Sequence, residues 1–182
     1  MVKAVIFDFD LTLFNSSPVK SLMDTKQWSL VYKNIHLCSF YPYALKTLSL
    51  LNHYNIQTAI VSNAPSSYVK KILSFYNTDI NIVICYHDVK NHKPSPEGIY
   101  KVLDKLCINS SEAIYVGDND LDYKTACNAN IDFFGVLWGK YSHPVKIIDY
   151  ETFINSQEIQ AVTIIPKRES REFRSGVPIK YK

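Results

Sequence analysis

A short apolar run that breaks on two carboxylates constrains this chain most. Val5-Ile6-Phe7 are strand formers, and Asp8 and Asp10 follow two positions apart. A strand covered on both faces can be continuously apolar. Unpaired carboxylates are almost never fully buried. The strand, expected over residues 3–8, therefore ends near Asp8 and hands its acids either to solvent or to a polar cleft. Open α/β sheets bind ligands at that place, outside the carboxyl ends of their strands.

The same pattern recurs down the chain. Residues 56–61 read as a second strand that ends in Ser62-Asn63-Ala64-Pro65, with Ser66-Ser67 as a helix cap before Val69, Ile72, Leu73 and Tyr76. A hydroxyl before a helix N-terminus suits an anion, because free N–H groups and the helix dipole favour negative charge there. Residues 82–85 form a third strand. Asn91-His92-Lys93-Pro94-Ser95-Pro96 follows, with Ser95 as the cap of a helix that buries Ile99, Val102, Leu103 and Leu106. Lys93 on a proline-held loop could neutralise a phosphate or simply be solvated. His92 has no nucleophile to pair with. Residues 113–116 are a fourth strand, followed by Gly117-Asp118-Asn119-Asp120-Leu121-Asp122. Gly117 is expected to permit a tight turn. Three carboxylates in five residues need a cation or solvent, and hard oxygen ligands suit Mg²⁺. An acidic helix N-terminus complementing the dipole would explain Asp120 or Asp122, but less well the whole cluster. The spacing is not that of an EF-hand loop. A helix over 121–130 ends at Asn130, a left-handed cap, and residues 133–137 form a fifth strand.

Between the first and second strands lies more chain than one crossover needs. Pro42 to Tyr54 offers a helix with Leu45, Leu48 and Leu51 inward, directly before the second strand. Residues 15–40 are therefore surplus, read as one bent helix or two short ones, started by Asn15-Ser16-Ser17-Pro18. Their aromatic residues and neighbours (Trp28, Tyr32, Phe40, Tyr41, Tyr43) either pack the insertion onto the core or line a site where a base could stack.

Composition narrows the class further. The 182 residues, 47% hydrophobic and 20% charged, fit one soluble globular domain with a small insertion. Net charge is +3, but residues 167–182 alone hold six Lys/Arg and two Glu, leaving the body near −1. The body is too weakly basic to suggest nucleic-acid binding by charge. Cys38, Cys85, Cys107 and Cys127 lack zinc-type spacing and read as buried free thiols of a reducing compartment. No signal peptide or membrane span is expected, so the protein reads as cytoplasmic. After the apolar Val162-Thr163-Ile164-Ile165, the basic tail is expected to be a solvated end, a docking arm or an element exchanged between subunits.

Taken together, these residues resemble the haloacid dehalogenase (HAD) superfamily of phosphatases. Asp8-Phe9-Asp10-Leu11-Thr12 looks like its first motif, Ser62-Asn63 its second, Lys93-Pro94 its third, and Gly117-Asp118 with Asp122 its fourth. The likeness covers roughly residues 1–155. Asn119 and Asn130 depart from it without removing a catalytic group. It implies an α/β, Rossmann-like three-layer sandwich with a central parallel sheet: core 1–14 and 41–160, a small helical cap at 15–40, and a C-terminal extension at 161–182.

The resemblance also implies roles. Asp8 would be the nucleophile that forms an aspartyl-phosphate, and Asp10 the general acid and base, with a raised pKa in at least one step. Mg²⁺ would sit between Asp8, Asp118 and the Asp10 carbonyl. Ser62, Asn63 and Lys93 would hold the phosphoryl oxygens, with Asp122 and Thr12 in support. The second Asp favours a phosphatase over a dehalogenase. It also disfavours a phosphonatase, which would need a cap lysine such as Lys20, Lys26 or Lys33. The expected substrate is a small phosphorylated metabolite or nucleotide. A phosphorylated macromolecule or closure by homo-oligomerisation would suit the reduced cap. A non-catalytic or regulatory binding protein on the same fold is the alternative, though none of the expected active-site groups is missing.

Overall fold

The computed structural model describes residues 2–80 and 82–149. The expected strand at 162–165 and the basic tail at 167–182 lie outside the described residues. In chain order the elements are β1 (Ala4–Phe7), β2 (Phe14–Asn15), α1 (Lys20–Asp24), α2 (Trp28–Asn34), β3 (Ser39–Phe40), α3 (Ala44–His53), β4 (Gln57–Val61) and α4 (Ser66–Phe75). There follow β5 (Ile82–Ile84), α5 (Glu97–Leu106), β6 (Ala113–Asn119), α6 (Asp120–Ala129), β7 (Asp132–Lys140) and β8 (Lys146–Ile148). Six of the strands form one sheet in the order β5-β4-β1-β6-β7-β8, with every pairing parallel.

Strand alternation makes the layers. On one face Val5, Phe7, Ile60, Ile114 and Val116 pack with residues of α3, α4 and the insertion. On the other, Ala4, Ile6, Ala59, Val61, Ala113 and Tyr115 pack with α5 and α6. Both faces are covered, so β1 reads as a continuous apolar run. The chain moves outward from β1 to β4 and β5, then returns to the other side of β1 for β6. The order reverses between β1 and β6, and a doubly wound sheet opens its ligand crevice at that point. Asp8 follows β1, and Asp118 lies within β6, on neighbouring strands held by the Asp8 N–H bond to the Val116 carbonyl at 2.8 Å.

The insertion resolves into two short helices, α1 and α2, flanked by 3-10 turns. The antiparallel pair β2–β3 brackets it, with Phe14 opposite Phe40. These two-residue strands are too short for a sequence pattern to show. Trp28, Tyr32 and Phe40 pack inward: Trp28 and Tyr32 against Tyr68, and Phe40 between Phe9, Phe14 and Tyr76. Tyr41 stacks on Trp138 with ring centroids 4.2 Å apart, and Tyr43 is exposed.

Several local expectations change. The buried face of α3 is Ala44, Thr47, Leu48 and Leu51, and Leu45 is exposed. The helix starts only after left-handed Tyr43, so its inward stripe runs through Ala44 rather than Leu45. Ser66 is the first residue of α4 rather than its cap. Its hydroxyl donates to Asp88 instead, at 3.0 Å. Ser16 likewise makes no side-chain cap; Asn15 Oδ1 accepts from the Ser17 N–H. Pro96 takes the N-cap place of α5, while Ser95 Oγ accepts from the Glu97 N–H. Cys107 and Cys127 are exposed, because each lies at or near a helix end away from the sheet; Cys38 and Cys85 are buried. No disulfide joins these four. Among the described residues no helix is long and apolar enough to cross a membrane.

Candidate active site

The ends of β1 and β6, helix α6 and one loop converge on Asp8. Its Oδ1 accepts from Lys93 Nζ at 2.6 Å, and its Oδ2 from Thr12 Oγ1 at 3.2 Å. Lys93 Nζ also donates to Asp122 Oδ1 at 2.6 Å and to the Tyr115 hydroxyl at 3.3 Å. Thr12 Oγ1 reaches Asp118 Oδ1 at 3.4 Å. Asp8, Asp118 and Asp122 are all buried, and each offers a carboxylate oxygen within 4.8 Å of the others.

Gly117 makes this packing feasible, though not through a turn. It sits inside β6, and no glycine among the described residues has a positive φ. A Cβ there would lie 2.6 Å from Asp122 Cγ. The glycine is needed so that α6 can press Asp122 against β6, where its Oδ2 accepts from the Asp118 N–H at 3.2 Å. Asn119 caps α6. Its Oδ1 accepts from the N–H groups of Leu121 and Asp122, and its Nδ2 donates to Asp118 Oδ1 at 2.9 Å. Asp120 lies outside the cluster and bonds to Ser142. Asn130 has the expected left-handed conformation, with φ 58°.

The loop that carries Lys93 is held from several sides. Glu97 accepts from the N–H groups of Lys90 and Asn91 at 3.0 and 2.9 Å. Asn128 Nδ2 donates to the Pro94 carbonyl at 2.8 Å, and His92 stacks on Tyr86 at 3.9 Å. Asn63 Oδ1 accepts from the Lys93 N–H at 3.2 Å. Ser62 Oγ accepts from the Ala64 N–H, which places the hydroxyl at the turn into α4. Ser62, Asn63 and Lys93 thus share one end of the sheet.

Asp10 occupies different surroundings. It lies three residues past β1, just before left-handed Leu11 (φ 62°), whose carbonyl accepts from Trp138 Nε1. Its Oδ1 accepts from the Tyr68 hydroxyl at 2.8 Å. The Ser16 hydroxyl is also nearby, buried and without a well-formed hydrogen bond.

Electrostatics separate the two acids further. Burial raises Asp8 well above the usual carboxylate range; the Asp122 and Asp118 charges add to this, and Lys93 opposes it. Asp118 is pushed up to about 7 by burial and Asp122. Burial pulls the Lys93 ammonium downward, but Asp122 and Asp8 outweigh it and hold the group charged. One lysine therefore serves three buried carboxylates, and a compact dication of hard-ligand type would restore balance. The oxygen-only donor set fits Mg²⁺. Asp10 is raised to about 6 by burial, against the hydroxyls of Tyr68 and Ser16.

Sequence reasoning missed Tyr68, Tyr115 and Trp138. All three sit at apolar-face or strand positions, where an aromatic residue reads as core. Their polar atoms reveal themselves only in three dimensions. The cap-lysine candidate Lys20 is ion-paired with Asp24.

The fold is that of a known class. A family model described as haloacid dehalogenase-like hydrolase matches residues 20–136, and the chain belongs to that family. Among curated relatives, a phosphoglycolate phosphatase of Salmonella choleraesuis is 25% identical over 141 residues, covering 74% of this chain and 55% of its own. A pyrophosphatase PpaX of Oceanobacillus iheyensis is 30% identical over 122 residues, covering 60% and 55%. The chain thus spans about half the length of these curated relatives. Among solved structures, a predicted phosphoglycolate phosphatase from Haemophilus somnus superposes with a TM-score of 0.73 at 19% identity, covering 84% of this chain and 96% of that one. That likeness concerns the fold alone.

Proposed function

We propose that the protein is a Mg²⁺-dependent phosphomonoester hydrolase acting through an aspartyl-phosphate on Asp8. The observation that carries the reading is the division between its two acids. Asp8 lies 2.6 Å from Lys93 Nζ inside a cluster of carboxylates, while Asp10 is held apart by a phenol.

An oxygen of Asp8 attacks phosphorus as the bond to the leaving oxygen breaks. Asp10 gives that oxygen its proton, then takes one from the water that cleaves the aspartyl-phosphate. Its pKa of about 6 suits both directions near neutrality. Lys93, the Ser62 hydroxyl, Asn63 and the N–H groups at the start of α4 face the phosphoryl oxygens as charge develops. Asp122 holds Lys93, and Thr12 steadies Asp8 and Asp118. Mg²⁺ would be held by Asp8, Asp118 and the Asp10 carbonyl, where it supplies charge neutralisation for the phosphoryl group.

The relatives' names favour a small phosphate ester or anhydride as substrate. Residues 1–14 and 41–160 are the proposed catalytic core and 15–40 a reduced cap. That short cap supports a second reading, a phosphorylated macromolecule approaching an open site. Phosphate release from a panel of phosphorylated metabolites and nucleotides, with and without Mg²⁺, tests the proposal. Turnover is expected to need the metal and to vanish in Asp8→Asn. Mg²⁺ binding without turnover on any ester would favour a regulatory protein on this fold.

A further inference from the structure

Asp10 gets its aim from outside its own strand. β1 stops at Phe7, and the chain beyond it turns through Leu11, with a single isolated bridge between Asp10 and Phe14. Beside the buried Ser16 hydroxyl, which makes no well-formed hydrogen bond, lies the Asp10 carboxylate. The Tyr68 phenol, from α4, meets it at 2.8 Å. Tyr68 is fully buried and cannot swing away. Phe9 packs edge-on to its ring at 6.0 Å, Trp28 lies tilted at 5.6 Å, and Tyr32 sits at 6.5 Å. Tyr32 is itself fixed to α4 by a hydrogen bond with the Ser67 hydroxyl and by Lys71 over its ring.

We propose that Tyr68 is the positioning residue of Asp10, and that the insertion, through Trp28 and Tyr32, braces it. The proposal rests on the phosphatase reading above. A phenol donor on Oδ1 is compatible with both protonation states of the carboxyl group. It leaves Oδ2 as the atom that carries the proton. In the first half-reaction Oδ2–H passes its proton to the bridging oxygen as the O–P bond breaks and the Asp8 O–P bond forms. In the second, Oδ2 takes a proton from water as the water O–P bond forms and the Asp8 O–P bond breaks. Small errors of aim in such a step are costly, about 100-fold for a displacement near 1 Å.

The test is leaving-group dependence in the full chain, comparing wild type with Tyr68→Phe, which keeps the ring. An alkyl phosphate needs its leaving oxygen protonated, and 2,4-dinitrophenyl phosphate does not. Because kcat/KM reports the steps through leaving-group departure, it isolates the acid role. We expect kcat/KM in Tyr68→Phe to fall about 10–100-fold for the alkyl ester and less than about threefold for the dinitrophenyl ester. Asp10→Asn should show the same selectivity at greater depth. Equal losses on both esters would mean general loosening and overturn the proposal.

Crystal structures of wild type and Tyr68→Phe supply an arm that needs no turnover. The Asp10 carboxylate is expected to rotate away in the variant, and an unmoved carboxylate overturns the positioning role. If wild type hydrolyses no ester, the phosphatase reading falls, and these structures alone decide for or against Tyr68.

Discussion

Asp8 and Asp10 are two residues apart in sequence, yet they live in different chemistry. Asp8 faces ions: Lys93, Asp118 and Asp122, with Thr12 between. Asp10 faces an aromatic wall and hydroxyls, with Tyr68 as its polar partner. Both are raised by burial, but the second cause differs. At Asp8 it is neighbouring like charge, whereas at Asp10 the hydroxyl contacts oppose the rise. Two titratable groups in unlike environments take unlike roles. Here the sheet makes the first environment, by setting β1 beside β6, and the insertion with α4 makes the second.

That contrast can be broken from either side. The largest effect is expected from Asp8→Asn, which should lower kcat by about 10⁴-fold or more, measured by phosphate release. Next comes Lys93→Ala, which leaves buried carboxylates without their cation. It should cost about 3–5 kcal/mol in denaturant unfolding without Mg²⁺, with partial recovery when the metal is added. Asp10→Asn should cost less than about 1.5 kcal/mol in the same assay, since it disturbs one hydrogen bond and no ion pair. An equal cost for the two would erase the contrast. Gly117→Ala forces a methyl group against Asp122 and should cost about 1–3 kcal/mol while lowering activity through Lys93.

The smallest effect concerns the loop behind Lys93. Glu97 is held down to about 2 by the Lys90 and Asn91 N–H groups. Its folded pKa lies below the usual value, so its support is full above about 4.5 and fades as pH falls toward 2. Amide protection at Lys90 and Asn91 should drop over that window, and Glu97→Gln should remove the pH dependence.

Much of the Asp8 side was legible in the sequence. Apolar runs that end in charged or hydroxyl residues announce strand ends, and a parallel sheet gathers those ends on one edge. Lys93, on its proline-held loop, and Asp122, in the acidic run after β6, were readable through the resemblance to the family's motifs. The Asp10 side was not. Tyr68 lies with Val69, Ile72 and Leu73 on the buried face of α4, and nothing in that pattern marks a hydroxyl aimed at a carboxylate. Gly117 stands out in the sequence as a turn residue, but the close approach between α6 and β6 that requires it leaves no local signal. Leu45 and the Ser66 and Ser95 caps slipped by one position or exchanged partners. The start of a helix depends on tertiary hydrogen bonds as well as propensity.

The most direct measurement is acid quench of the protein during turnover of a ³²P-labelled ester with Mg²⁺, followed by mapping of the label. The account predicts phosphate on Asp8 alone, lost in Asp8→Asn and retained longer in Asp10→Asn, where hydrolysis lacks its base. Label on Asp10, or turnover with no labelled carboxylate, would contradict the assignment of roles to the two acids.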